Sequence, residues 1–412
     1  MLLYIDPGTG SMLFTVLIGI IGAAFYSIRM LIIKLRFRIS GGKMESNIKK
    51  IPFVIFSDDK RYWNVFEPIC REMDMRGKDV VYMTASPDDP VLNNPYKHIK
   101  AEFIGEDNKA FAKLNFLNAE IVLSTTPGLD VYQWKRSKEV SCYVHMLHAA
   151  GEVTLYRMFG IDYYDSILIS GEYQARDIRN LENLRNLPKK ELVKIGIPYM
   201  DEMVKRLKNA PELEPSDKPT ILLAPSWGPS AIFSMYGGKI IESLKETGYH
   251  IIIRPHPQSF KSEKDMIDRL MRQFPDADNL EWNRDNDNFE VLRRSDILIS
   301  DFSGVIFDFA LVYDKPIIYT NPNFDISPYD AWWLDTPLWT NSVLPLLGEQ
   351  LTEENIKNIK LLVDNCLYDP KYAHGRHRAR EEGWEYFGEG AVHAVDYLLN
   401  KYDRLTKAKE EE

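Results

Sequence analysis

The sequence predicts an α/β protein: two doubly wound parallel sheets facing one another across a cleft, preceded by one N-terminal transmembrane helix. Three observations predict it. From Pro52 onward, short apolar runs alternate with amphipathic stretches, the rhythm of parallel strands covered by helices on both faces. A Pro- and acid-rich stretch, "NAPELEPSDKP" at 209–219, divides that rhythm into two sets and reads as a linker. Ahead of both, residues 12–28, "MLFTVLIGIIGAAFYSI", carry no charge.

Taken in order, the first element runs from Met12 to Ile33, just long enough to cross a bilayer at about 1.5 Å per residue. No cation precedes the apolar run and no small-residue cleavage site ends it, so a removable signal peptide fits poorly. Arg29, Lys34, Arg36 and Arg38 lie on its C-terminal side. By the positive-inside rule they leave the rest of the chain in the cytoplasm, which predicts a single-pass protein of the cytoplasmic membrane. The bland alternative is a buried helix of the globular part. The "SGGK" that follows Arg38 reads as a linker and favours the anchor. The leading turn-rich segment Tyr4–Ser11 suggests no role.

In the first α/β set, "PFVIF" reads as a strand and "WNVFEPICREMDMRG" as an amphipathic helix stopped at Gly77. "DVVYMT", "EIVLSTT", "VSCYVHML" and "SILISG" are further strands. The second set offers "TILLAPS", "GYHIIIRPHP", "NLEW", "DILISD" and "KPIIYT", with helical patterns between them and after Asn355. With 45% hydrophobic and 12% aromatic residues, the chain can bury sizeable cores. A net charge of −9 argues against nucleic acid as a partner. Cys70, Cys142 and Cys366 are far apart and form no CxxC pair, so they read as buried thiols in a reducing compartment.

Ligands of open α/β sheets bind outside the carboxyl ends of the strands. "DILIS" stops at Asp301 and "GVIFDFALVYD" reads as a helix, so Asp301, Phe302, Ser303 and Gly304 form a strand-to-helix turn. Ser303 can cap that helix through its hydroxyl. Gly304 leaves the backbone open, and the first free N–H groups favour an anion such as phosphate. An ordinary capped turn is the plain reading, and two neighbouring strand ends weigh against it. "IIIRPHPQS" sets Arg254 and His256 after a strand, stiffened by Pro255 and Pro257. His256 can donate to a phosphate oxygen, and Arg254 can add charge or brace the loop. "LLAPSWGPS" adds Ser226, Trp227, Gly228 and Ser230, an aromatic and hydroxyls suited to a base or a diphosphate, or simply a packed Trp.

"YVHMLHAAGE" places His145 and His148 near another strand end, on opposite faces if the strand continues. A neutral imidazole suits a general base that takes an alcohol proton. His148 lies closer to the turn and is the better candidate. No carboxylate pair sits nearby at ligand spacing, so these two are not expected to hold a metal; no cofactor is expected either.

"APSW", "RPHP" and "SDILISDFSGVIFDFALVYDKPIIY", in that order, resemble the CDP-glycerol glycerophosphotransferase family, the teichoic-acid primases and polymerases. "GEGAVHAVDYLL" is similar to that family's closing helix. The resemblance covers residues 120–400 and is strongest over 220–320. It implies the GT-B arrangement of two Rossmann-like domains facing a cleft. The domains would then be an anchor at 1–40, an acceptor-side domain at 41–208, a nucleotide-donor domain at 218–370, and closing helices at 371–412 packing back toward the first domain. It also implies transfer of a polyol phosphate from a CDP-linked donor to a hydroxyl of a lipid-linked glycan acceptor at the membrane, with release of CMP.

By the same resemblance, His148 takes the place of the base in the family's Trp-His-Gly-Thr-Pro motif. His256 matches the histidine that contacts donor phosphate, and Asp301, Ser303 and Gly304 match the Asp-Tyr-Ser-Ser phosphate turn. The departures are Leu147 for Trp, "AGEV" for Thr-Pro-Leu-Lys after the histidine, Gly228 for an Arg, and Gly304 for the second Ser. Two other readings fit the same cleft: a GT-B glycosyltransferase using a nucleotide sugar, and a non-catalytic, membrane-attached nucleotide-binding protein. The aromatic, acidic stretch "NPNFDISPYDAWWLDTP" reads as a packed loop or as the wall of an acceptor pocket.

Overall fold

In the computed structural model the described residues are 50–410, apart from 286, 322 and 323. The expected anchor and the Tyr4–Ser11 segment lie outside them. Among the described residues, no helix is long and apolar enough to cross a membrane.

Two parallel sheets organise the chain. The first contains β1 (Ile51–Ser57), β2 (Val80–Thr84), β3 (Ile99–Phe103), β4 (Ala119–Ser124), β5 (Val140–Met146), β6 (Ser166–Ile169) and β7 (Glu191–Lys194), in the spatial order β3-β2-β1-β4-β5-β6-β7. The second contains β8 (Thr220–Ala224), β9 (His250–Ile253), β10 (Leu280–Trp282), β11 (Ile297–Ser300), β12 (Ile317–Tyr319) and β13 (Gly348–Gln350), in the order β10-β9-β8-β11-β12-β13. Each order reverses once, between β1 and β4 and between β8 and β11. Those reversals open a crevice at the carboxyl ends of the strands.

Residue alternation explains why both sheets are covered on both faces. Phe53 and Ile55 pack under helix Trp63–Met75, while Val54 and Phe56 face the opposite layer with Trp134 and Tyr143. In β8, Leu222 and Ala224 face one core, and Ile221 and Leu223 the other. Each such aliphatic or aromatic side chain contributes about 1.5–3 kcal/mol on full burial.

The two lobes share one core. Tyr173, Ile197, Met200 and Met203 of the first lobe pack with Phe289, Ile306, Phe307 and Trp339 of the second. The chain passes into the second lobe after helix Pro198–Asn209 and returns after helix Pro370–Gly383. Its last helix, Gly390–Glu410, buries Ala394, Val395, Tyr397 and Leu398 in the core beneath β1. Asp201 fixes the return: its carboxylate accepts Trp384 Nε1–H at 3.0 Å and the amides of Gly388 and Gly390 at 2.7 and 2.8 Å. Cys70, Cys142 and Cys366 are buried and unpaired.

Candidate active site

Chemistry gathers where both sheets reverse. On the first lobe, β1 ends at Ser57 and the chain turns through Asp58 and Asp59. Asp59 accepts the Arg61 amide and its Nε–H, both at 2.9 Å, and so caps the short helical turn Lys60–Tyr62. That turn presents Tyr62 edge-on to His148, with ring centres 5.1 Å apart. His148 Nδ1 lies 2.9 Å from the hydroxyl of Thr125, the residue after β4. Burial, and then the Arg61 cation, push the His148 imidazole down to about 4.

His145 sits on β5 with no exposure, and its Nε2 lies 3.2 Å from Tyr156 OH. Its Nδ1 is buried without a partner. Burial pushes this ring down to about 3. His145 therefore belongs to the interior, while His148 is half-buried at the strand end.

On the second lobe, Asp301 does not reach outward. Its carboxylate accepts the Ser226 amide at 3.0 Å and the Ile232 amide at 3.1 Å. It thereby joins the ends of β11 and β8 at the reversal, and burial holds its carboxyl above the usual range. Ser303 Oγ accepts the Val305 amide at 3.4 Å, the predicted capping bond. The helix it opens, Val305–Phe307, continues in a widened π turn at Asp308–Val312. The Ser303 and Gly304 amides have no acceptor among the described residues.

Arg254 is a brace. Its guanidinium donates to Asn283 Oδ1 and, at 2.7 Å, to the Asp285 carbonyl. His256 is exposed, and its Nδ1 accepts the Gln258 amide at 3.1 Å. Burial, and then Arg61, lower its pKa from the ordinary histidine value. Trp227 is 48% exposed, so it is not a packed core residue, and Phe302 on the neighbouring strand end is 50% exposed.

A cavity of about 840 Å³ lies between the lobes. Arg254, His256 and Ser303 line it from one side, and Asn64, Tyr199 and Arg206 from the other. His148, Ser226, Trp227, Asp301 and Gly304 are not in its lining. One guanidinium connects the two histidines electrostatically, since the Arg61 charge bears on both rings.

Several of these residues went unread in the sequence. Arg61 and Tyr62 follow β1 in "SDDKRYW", and only the strand order shows that β1 borders the reversal. Arg206, 3.8 Å over the Phe289 ring and 2.5 Å from Asp287, needs both lobes to make sense. Each lobe thus carries an imidazole near its strand ends, the Ser303 and Gly304 amides lie at one of those ends, and the Arg61 charge bears on both rings. This arrangement suits binding of a phosphate-bearing ligand and removal of a proton from a hydroxyl.

Residues 157–332 match the family model described as CDP-glycerol:poly(glycerophosphate) glycerophosphotransferase. A teichoic acid glycerol-phosphate primase of Bacillus spizizenii is 25% identical over 178 residues, covering 40% of this chain and 42% of that protein. The minor teichoic acid biosynthesis protein GgaB of Bacillus subtilis is 34% identical over 102 residues, covering 23% of this chain and 10% of that protein. The matches thus span less than half of either relative. Among solved structures, a UDP-GlcNAc 2-epimerase of Methanocaldococcus jannaschii superposes with a TM-score of 0.56 at 14% identity, covering 85% of this chain and 100% of that one. A glycosyltransferase of Rickettsia africae does so with a TM-score of 0.53 at 12% identity, covering 87% and 99%. These likenesses establish the two-lobed GT-B-like fold.

Proposed function

We infer, for a chain whose residues 157–332 match the model of the CDP-glycerol:poly(glycerophosphate) glycerophosphotransferases, a transferase that moves a polyol phosphate from a CDP-linked donor to a hydroxyl of a lipid-linked glycan in cell-envelope polymer synthesis. Residues 1–40 would anchor it in the cytoplasmic membrane with both lobes in the cytoplasm. The observation that supports the reading is that His256 and the Ser303–Gly304 amides stand at one sheet's reversal and His148 at the other's, with the Arg61 charge bearing on both rings.

The step follows from those places. The donor diphosphate rests on the Ser303–Gly304 amides. His256 Nε2–H donates to a phosphoryl oxygen, and Arg61 offsets charge as it moves to the leaving group. His148 accepts the acceptor's O–H proton. A new O–P bond forms to the phosphorus bearing the polyol, the bridging P–O bond to CMP breaks, and CMP departs with its electron pair. Positioning and electrostatic stabilisation supply most of the acceleration.

The test is CMP release by the detergent-solubilised full chain, given a panel of CDP-linked and UDP-linked donors and a lipid-linked acceptor. The reading expects acceptor-dependent CMP release that His148→Ala and His256→Ala each lower by about 10²-fold or more. Turnover with UDP-linked donors only, or full activity in both variants, would remove it.

A further inference from the structure

The loop that carries His148 makes a contact the proposed step does not use. It runs on to Glu152, whose Oε1 accepts the Thr340 amide at 2.8 Å and the Thr340 hydroxyl at 3.4 Å. Thr340 stands in the first turn of helix Trp339–Leu347, in the second lobe and 188 residues away in sequence. Helix N-termini hold unpaired amides and partial positive charge, which a carboxylate matches. This carboxylate is buried, with the residue 7% exposed, and its Oε2 has no partner among the described residues. Burying an acid with an unmet acceptor is costly. A costly group held between lobes points to a role beyond packing.

The contact reaches both halves of the site. The carbonyl of Gly151 accepts Tyr173 O–H and Gln174 Nε2–H, each at 2.8 Å. Tyr173 stacks on Trp339 with ring centres 4.4 Å apart, and Trp339 lies 5.7 Å from Phe307 in a second stack. Phe307 follows Gly304 by one helical turn, and His148 precedes Glu152 on one short loop.

We propose that Glu152 is a positioning residue: its carboxylate, seated on the second lobe's helix, sets where the His148 loop stands relative to the Ser303–Gly304 turn. The catalytic consequence rests on the functional reading above; the mechanical one does not. Side chains that hold reacting groups in register act on turnover more than on ground-state binding.

The test compares Glu152→Leu, which removes the acceptor at similar volume, with Glu152→Gln, which keeps one acceptor oxygen. Both are made in the full chain and read first by amide hydrogen exchange. In Glu152→Leu, exchange is expected to quicken at Thr340, across residues 147–153 and across residues 302–307 alike, with the β1–β4 strands as protected as before. Glu152→Gln should restore most of that protection. With an active donor, kcat should fall roughly tenfold or more in Glu152→Leu at little-changed KM, and recover in Glu152→Gln. Quickened exchange confined to Thr340 and its neighbours overturns the proposal, as does unchanged kcat in an active enzyme. If the parent protein turns over no donor, the functional reading fails, and the exchange pattern alone decides the coupling.

Discussion

The Nδ1 of His256 accepts the backbone N–H of Gln258 at 3.1 Å. An amide can only donate, so that nitrogen is bare and the neutral ring carries its proton on Nε2. The loop thus fixes a tautomer in which the outward nitrogen is a donor. His256→Ala should lower kcat by about 10²–10³-fold, as removal of one preorganised oxyanion donor does, with a smaller change in donor affinity. Steady-state CMP release checks this, and a pure KM effect would argue against donation in the transition state.

Two histidines and a glutamate should pull acid stability in opposite directions. His145 and His148 are pushed down to about 3 and about 4, first by burial. Between those values and the ordinary histidine value near 6.5, the unfolded chain binds protons that the native rings refuse. Their contribution is therefore held above about pH 6.5 and lost toward pH 4. Glu152 is pushed up to about 7, first by burial. The native state there keeps a proton that the unfolded chain has lost, so its contribution fades as pH rises toward 7. His145→Gln should flatten the urea midpoint against pH in the acid range, and Glu152→Gln should steepen it. Parallel curves for all three proteins would refute the assignment.

Gly304 and Gly228 differ in what they tolerate. Gly304 has φ −59 and ψ −20, and a Cβ there meets nothing within 4 Å. Gly304→Ser should change stability by less than about 1 kcal/mol, in the stabilising sense, and tighten CDP binding through an added hydroxyl. Gly228 has φ +100. Gly228→Arg should cost about 1–2 kcal/mol from backbone strain alone, despite open space. Urea denaturation and CDP titration of both variants check the contrast.

Asp201 is 3% exposed and holds three donors from the returning chain. Asp201→Ala leaves a buried indole N–H and two amides unmet. It should cost about 3 kcal/mol or more and open the chain near residue 384 to protease. Trypsin sensitivity measured beside the melting temperature separates local release from global loss.

The sequence made the interior of each sheet legible and left three of the four margins dark, β10 being the edge that was read. β1, β2, β4, β5 and β6 read as apolar runs, as did β8 to β12, because strands buried on both faces are continuously hydrophobic. β3, β7 and β13 went unread. All three lie at sheet edges, and their sequences, "IKAEF", "ELVK" and "GEQ", are polar where one side meets water. The site divided in a similar way. The turn at Ser303 and the ring of His256 follow from local pattern. That Asp301 faces Ser226 rather than the cleft follows only from β8 lying beside β11. Likewise, no local pattern pairs Glu152 with Thr340.

The double crossing between lobes restricts how they can part. The second lobe hangs from the first by two tethers, one at 210–219 and one at 384–389. With two chain crossings and a common core, the lobes are held more tightly than two domains joined by a single linker. Any widening of the gap must work against the shared core of Tyr173, Met200, Phe289 and Trp339, and a pair of probes at Asn64 and His256 would read its extent.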